Sequence, residues 1–180
     1  MPTVNVVPTP NPDALMFRVE ETLVPAGTYE YGSPDQTGDA PLAQQLLALS
    51  GIELILVAPR FVTVRKEPDA DWGTLQPEVS AAIESFLESG EMAVFDTRSS
   101  TPRPLSDVEA RVVAIIDEEI RPAVAQDGGD ITFESFHEGV VTVRMSGACG
   151  SCPSSTLTLK AGVERLLTEE IPEVTSVEAL

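Results

Sequence analysis

Residues 97–104, Thr-Arg-Ser-Ser-Thr-Pro-Arg-Pro, carry no apolar side chain and two prolines, so neither a packed helix nor a buried strand can run through them. Any hydrophobic core must therefore form on one side of this stretch or the other. The expectation is two small α+β domains, residues 1–97 and 105–180, joined by a flexible linker over 98–104. With 42% hydrophobic residues in a chain of 180, both halves have enough apolar material for a core of their own.

In the first half, Val4–Val7 and Ala14–Val19 read as strands on either side of a proline-rich turn, Pro8 to Asp13. Tyr29 and Tyr31 fit a short strand. A helix is expected over Ala40–Ser50, capped by Asp39 and stopped by Gly51. Ile52–Val57 and Phe61–Lys66 read as a hairpin turning at Ala58-Pro59-Arg60, and Leu75–Ser89 reads as a second helix ended by Gly90. Trp72, beside Asp69 and Asp71, fits either an exposed contact or a packing role.

In the second half, Ser106 and Glu109 stand at capping-box spacing ahead of Val108, Val112, Ile115, Ile116 and Ile120, the apolar stripe of a helix. Pro122 and the turn Asp127-Gly128-Gly129-Asp130 are expected to end it. That turn lacks the rest of an EF-hand loop, so its glycines are read as positive-φ turn residues and not as part of a calcium site. Ile131–Phe136 and Val140–Met145 form a hairpin around His137-Glu138-Gly139, and His137 reads as a solvated turn residue. The second of these strands runs into Gly147-Ala148-Cys149-Gly150-Ser151-Cys152. Pro153 then opens a helix with Thr156, Leu159, Val163, Leu166 and Leu167 inward, and a strand over Val174–Leu180 closes the order α-β-β-(CxxC loop)-α-β.

Cys149 and Cys152 are the two cysteines of the sequence, which has a single histidine. Two thiolates are half a metal site, since iron-sulfur clusters and structural zinc usually take about four ligands. A symmetric dimer that brings two loops together is the economical completion. Cys152 stands just before the proline-started helix, where the dipole favours a thiolate by roughly 0.3–1 kcal/mol. Gly147 and Gly150 leave the backbone free to approach sulfur and donate hydrogen bonds to it. Residues 139–163 contain no Asp or Glu, so the surroundings of the thiols are expected to be free of carboxylates.

Two other readings of the thiols compete. A thioredoxin-like dithiol redox protein needs a further hairpin and helix after its active-site helix, and the residues beyond Cys152 hold one helix and one strand. A zinc-bridged structural dimer is compatible with the spacing. A disulfide between the two would close only a tiny loop.

The net charge of −18, spread over both halves, argues against nucleic acid or an anionic membrane as partner. No apolar run approaches the roughly 18 residues of a membrane span. The N-terminus shows neither a signal-peptide nor a transit-peptide pattern, and the expected location is cytoplasmic. No Ser-His-Asp arrangement or phosphate-binding glycine loop appears, so the chain is not expected to be an enzyme.

The series Ile120-Arg121-Pro122, Asp127-Gly128-Gly129-Asp130-Ile131, Val141-Thr142-Val143, Gly147 to Ser155, Thr158-Leu159-Lys160, Gly162-Val163-Glu164 and Pro172-Glu173-Val174 resembles the NifU-like C-terminal domain of the Nfu family. Thr9 to Phe17 and Phe61 to Lys66 resemble the Nfu N-terminal domain. The resemblance implies an iron-sulfur cluster scaffold or carrier in which a [4Fe-4S] cluster, with [2Fe-2S] as the alternative, is bridged between two protomers and handed to apo-proteins. It also implies Cys149 and Cys152 as ligands, Gly147, Gly150 and Ser151 as cluster-binding neighbours, and client or assembly-factor docking for the first domain. Mitochondrial members share this domain pair, and the absence of a presequence suggests a bacterial version.

Overall fold

The computed structural model describes residues 2–25, 27–95, 104–150 and 153–180. It divides into two compact units, Met1–Ser99 and Ser100–Leu180. The expected linker falls almost wholly outside the described residues.

The first unit contains β1 (Asn5–Pro8), β2 (Ala14–Arg18), β3 (Tyr29–Tyr31), α1 (Pro41–Leu47), β4 (Ile52–Ala58), β5 (Phe61–Lys66) and α2 (Trp72–Ser89). The strands form one antiparallel sheet in the order β1-β2-β5-β4-β3. Alternate residues Phe17, Ile55, Val57, Val62 and Val64 join Leu42, Leu46, Leu75, Val79, Ile83 and Phe86 of the helices in one core.

Three details differ from expectation: α1 ends at Leu47, short of Ser50 and Gly51, and the starts of both helices are shifted. Asp39 does not cap α1; Ala40 holds the N-cap position, and the Asp39 carbonyl accepts from Phe95 N at 2.6 Å. Helix α2 begins at Trp72, a turn earlier than its apolar stripe suggested. The reason is tertiary. The Trp72 ring lies 6.5 Å from that of Phe17, and its Nε1 donates to the Pro12 carbonyl at 3.2 Å, so the extra turn is anchored to the sheet and to the proline-rich loop.

The second unit contains α3 (Asp107–Ile115), a π-helical turn (Ile116–Ile120), α4 (Arg121–Gln126), β6 (Gly129–His137), β7 (Val140–Gly147), α5 (Pro153–Glu170) and β8 (Ser176–Ala179). The capping box is formed: Glu109 N donates to Ser106 Oγ at 3.3 Å, and Ser106 N to Glu109 Oε2 at 2.8 Å. Helix α5 crosses from β7 to a parallel β8, giving a sheet in the order β6-β7-β8. The hairpin turn places Glu138 and Gly139 at φ 49° and 84°, the left-handed pair that a tight β-hairpin requires.

Pro122 does not end the first helical stretch, which runs on to Gln126 through the π turn. The buried residues Val112, Ile116, Ile120 and Val124 recur every four positions. At 3.6 residues per turn such a row drifts by about 40° per step, and one wide turn rotates it back over the sheet. The wide turn also lies where Pro122 has no N–H to donate. The core joins these residues to Ile131, Val141, Val143 and Met145 of the hairpin and to Val163, Leu167 and Ile171.

Candidate metal centre

The thiol loop leaves the end of β7. Gly147 pairs with Gly129 across the ladder and takes φ 68°, a conformation open to glycine at little cost, which turns the chain out of the sheet. Opposite it, α4 ends and Gly128, at φ 74°, turns the chain into β6. Ala148 N donates to the Gly128 carbonyl at 3.3 Å, so the two turns are held together. Gly129 itself is strand, with no positive φ.

Cys149 follows. It is 5% exposed and belongs to the hydrophobic core. Its sulfur packs on Gly129: a Cβ built there would lie 2.6 Å from Sγ and 2.9 Å from the cysteine Cβ. Gly150 has no more room, since an added Cβ would come within 2.8 Å of the Met145 carbonyl oxygen. Its N–H is directed at the Gly147 carbonyl, 3.3 Å away, and so not at sulfur. Thr156 Oγ1 donates to the Cys149 carbonyl at 2.8 Å and ties the first turns of α5 to the loop. Ser151 and Cys152 lie outside the described residues.

One register step away, Asp130 is buried and pairs with Ser146. Its carboxylate receives Arg121 Nε at 2.9 Å and Nη2 at 3.3 Å, while Arg121 Nη1 reaches Asp117 at 3.0 Å. The Asp130 hydrogen bond is the leading cause of a raised Arg121 pKa, working against desolvation. This bidentate pair fastens α4 to β6 beside the thiol loop.

The electrostatics correct an expectation. Residues 139–163 lack carboxylates in sequence, yet Asp127 reaches the site from the α4–β6 turn. Burial, and after it the Asp127 charge, pushes the Cys149 thiol up to about 11. Cys149 is thus a buried neutral thiol and not an exposed thiolate. Sequence reasoning assigned Gly129 to the turn and missed it as the floor under the sulfur; its place at the very start of strand β6, opposite the end of β7, was the available signal.

His137 ends β6 in an exposed position away from the loop. Among the described residues no three His, Cys, Asp or Glu side chains form a group able to hold a metal ion. Cys149, joined by its sequence neighbour Cys152, therefore offers two thiols. That donor set fits half of a thiolate-ligated site and falls short of a whole one. Among the described residues, no helix is long and apolar enough to cross a membrane.

A β-hairpin leading into a cysteine loop, a crossover helix and a parallel strand defines a small α+β class with its thiol at a strand-to-helix junction. The NifU-like domain profile matches residues 112–178, and the profile described as scaffold protein Nfu/NifU N terminal matches residues 4–90. The mitochondrial NFU1 iron-sulfur cluster scaffold homolog of Drosophila persimilis is 41% identical over 175 residues, 94% of this chain and 62% of its own length. The Homo sapiens protein of the same name is 37% identical over 174 residues, 94% of this chain and 68% of its own. The solution structure of a NifU-like protein from Saccharomyces cerevisiae aligns with a TM-score of 0.49 at 21% identity, covering 53% of this chain and 87% of that one. The chain belongs to the Nfu family.

It spans about three-fifths of the length of the fly relatives it matches. Those names also correct the cytoplasmic expectation, because the matched relatives are designated mitochondrial.

Proposed function

We propose that this chain is a non-enzymatic iron-sulfur cluster scaffold and carrier that holds one [4Fe-4S] cluster between two protomers and passes it to apo-proteins. Cys149 and Cys152 are its ligands, with Gly147, Gly150 and Ser151 shaping the loop around them. The observation that carries the reading is the half-site: a thiol held at the β7–α5 junction, with no third ligand beside it among the described residues. The scaffold names of the relatives support the same function.

The cluster is cargo, and the chemistry of Cys149 suits release. Loading requires its thiol to lose a proton, which a buried site resists until iron takes the proton's place. In transfer, a client thiolate bonds to iron as the Cys149 sulfur leaves, and the freed thiolate regains its proton. The high thiol pKa favours that last step. The domains follow the same logic: residues 105–180 carry the cluster, and residues 1–97, across the linker 98–104, dock clients or assembly factors.

Anaerobic reconstitution with iron and sulfide, followed by metal counting, spectroscopy and sedimentation, tests the proposal. Four irons per dimer, lost in both Cys149→Ser and Cys152→Ser, is the expected result. Zinc bound without sulfide, or a colourless monomer with a reversible dithiol, would overturn it.

A further inference from the structure

We infer that the outward face of α5, formed by Leu157, Thr158, Ala161 and Gly162, is the surface on which a second copy of this chain seats when two thiol pairs share a cluster; the inference rests on the shared-cluster reading above.

The first ground is position. Helix α5 starts immediately after Cys152, and Leu157 lies about 6 Å along its axis. A second copy close enough to place its own thiols on one cluster must lie against these first turns. The inward face is already used, with Val163 and Leu167 in the core. On the other side Leu157 is 68% exposed, and Thr158, Ala161 and Gly162 beside it are exposed as well.

The second ground is Gly162. Its φ lies outside the left-handed region, and a Cβ there would meet nothing within 4 Å. Glycine inside a helix costs about 1 kcal/mol relative to alanine. Nothing among the described residues of this unit requires it, so the missing side chain serves an approach from outside.

The third ground is charge, and it selects the occupant. Two copies of a chain at −18 repel unless they meet where carboxylates are absent. Residues 139–163 are the longest stretch without Asp or Glu, and they include the loop and the first turns of α5. The next acid, Glu164, is turned inward, its Oε2 accepting from Val177 N at 2.9 Å. Glu169 is paired with Arg165 at 3.0 Å. In a two-fold contact, the Leu157 side chains of the two copies meet across the axis, each also lying against the Ala161–Gly162 shelf of the other. Four such residues fall well short of the roughly 1,200 Å² of a stable interface, so the cluster bonds supply the rest and the unloaded chain is monomeric.

The experiment uses the full chain, reconstituted anaerobically with ferrous iron and sulfide and followed by sedimentation and iron counting. Leu157→Glu and Leu157→Lys should each leave the unloaded melting temperature unchanged and raise the loaded dimer's dissociation constant at least tenfold. Mixing the two should restore it. Gly162→Leu should raise the unloaded melting temperature while weakening the loaded dimer. A wild-type-like dimer in either Leu157 variant, or no recovery on mixing, overturns the inference. So does an intact dimer that only transfers more slowly to an apo-acceptor, which would assign the face to clients. Wild-type chain that takes up no iron, or loads as a monomer, removes the shared-cluster reading itself.

Discussion

The sulfur of Cys149 rests on the backbone of Gly129, so closely that a single added methyl at residue 129 would sit 2.6 Å from it. Gly129→Ala must therefore move the cysteine or the strand. Overpacking of this kind costs about 1–3 kcal/mol. Urea denaturation should show a loss in that range, and thiol alkylation at fixed pH should become faster as Cys149 is displaced from its pocket. Unchanged alkylation would mean that the strand, and not the thiol, yields.

Asp130 is buried and depends on Arg121 for two of its hydrogen bonds. Arg121→Met removes both and leaves a carboxylate in a poor environment. Because the arginine side chain is itself about one-third exposed, the loss is set at about 2 kcal/mol, below the range for a fully buried pair. A thermal or urea titration checks it. Asp130→Asn in the Arg121→Met background should recover part of the loss, since the stranded charge is then gone.

The Cys149 thiol, raised to about 11 from an ordinary value of 9.0, holds its proton in the folded state over a window where the unfolded chain has lost it. Its contribution to stability is full below about pH 9 and is lost as the pH climbs toward 11. Stability measured across that window should fall less steeply in Cys149→Ser than in the parent chain. Asp127→Asn should lower the alkylation pKa, by less than burial raises it, because desolvation is the larger cause.

Trp72 anchors the first turn of α2 through Phe17 and the Pro12 carbonyl. Trp72→Ala should cost about 2–3 kcal/mol, most of it lost apolar contact. Hydrogen exchange should show fraying confined to the start of α2 and to the proline-rich loop. Global loss of protection would mean that the tryptophan supports the whole core.

Much of the fold was readable because local signals are strong where two of them coincide. Ser106 with Glu109 announced α3, and Gly90, at φ 70°, stops α2 where expected, whereas α1 ends at Leu47, short of Gly51. The starts of α1 and α2 were misplaced for a shared reason. Asp39 and Leu75 carry propensity and periodicity, whereas the actual starts depend on Phe95 and Phe17, residues distant in sequence. Pro122 misled in the same way: taken alone it ends a helix, but a π turn absorbs it because Ile116, Ile120 and Val124 must all face the sheet.

What the residues alone settle is the family, the presence of a two-thiol loop at a strand-to-helix junction, and the helices and strands that carry it. All of these are encoded in contiguous patterns. The environment of the sulfur is not. Residues 139–163 are free of acid along the chain, but Asp127 and Gly129 arrive from a different turn, brought in by the β6–β7 ladder. Tertiary structure alone decided that Cys149 is buried, neutral and seated on glycine, because charge and burial act through space and not along the chain.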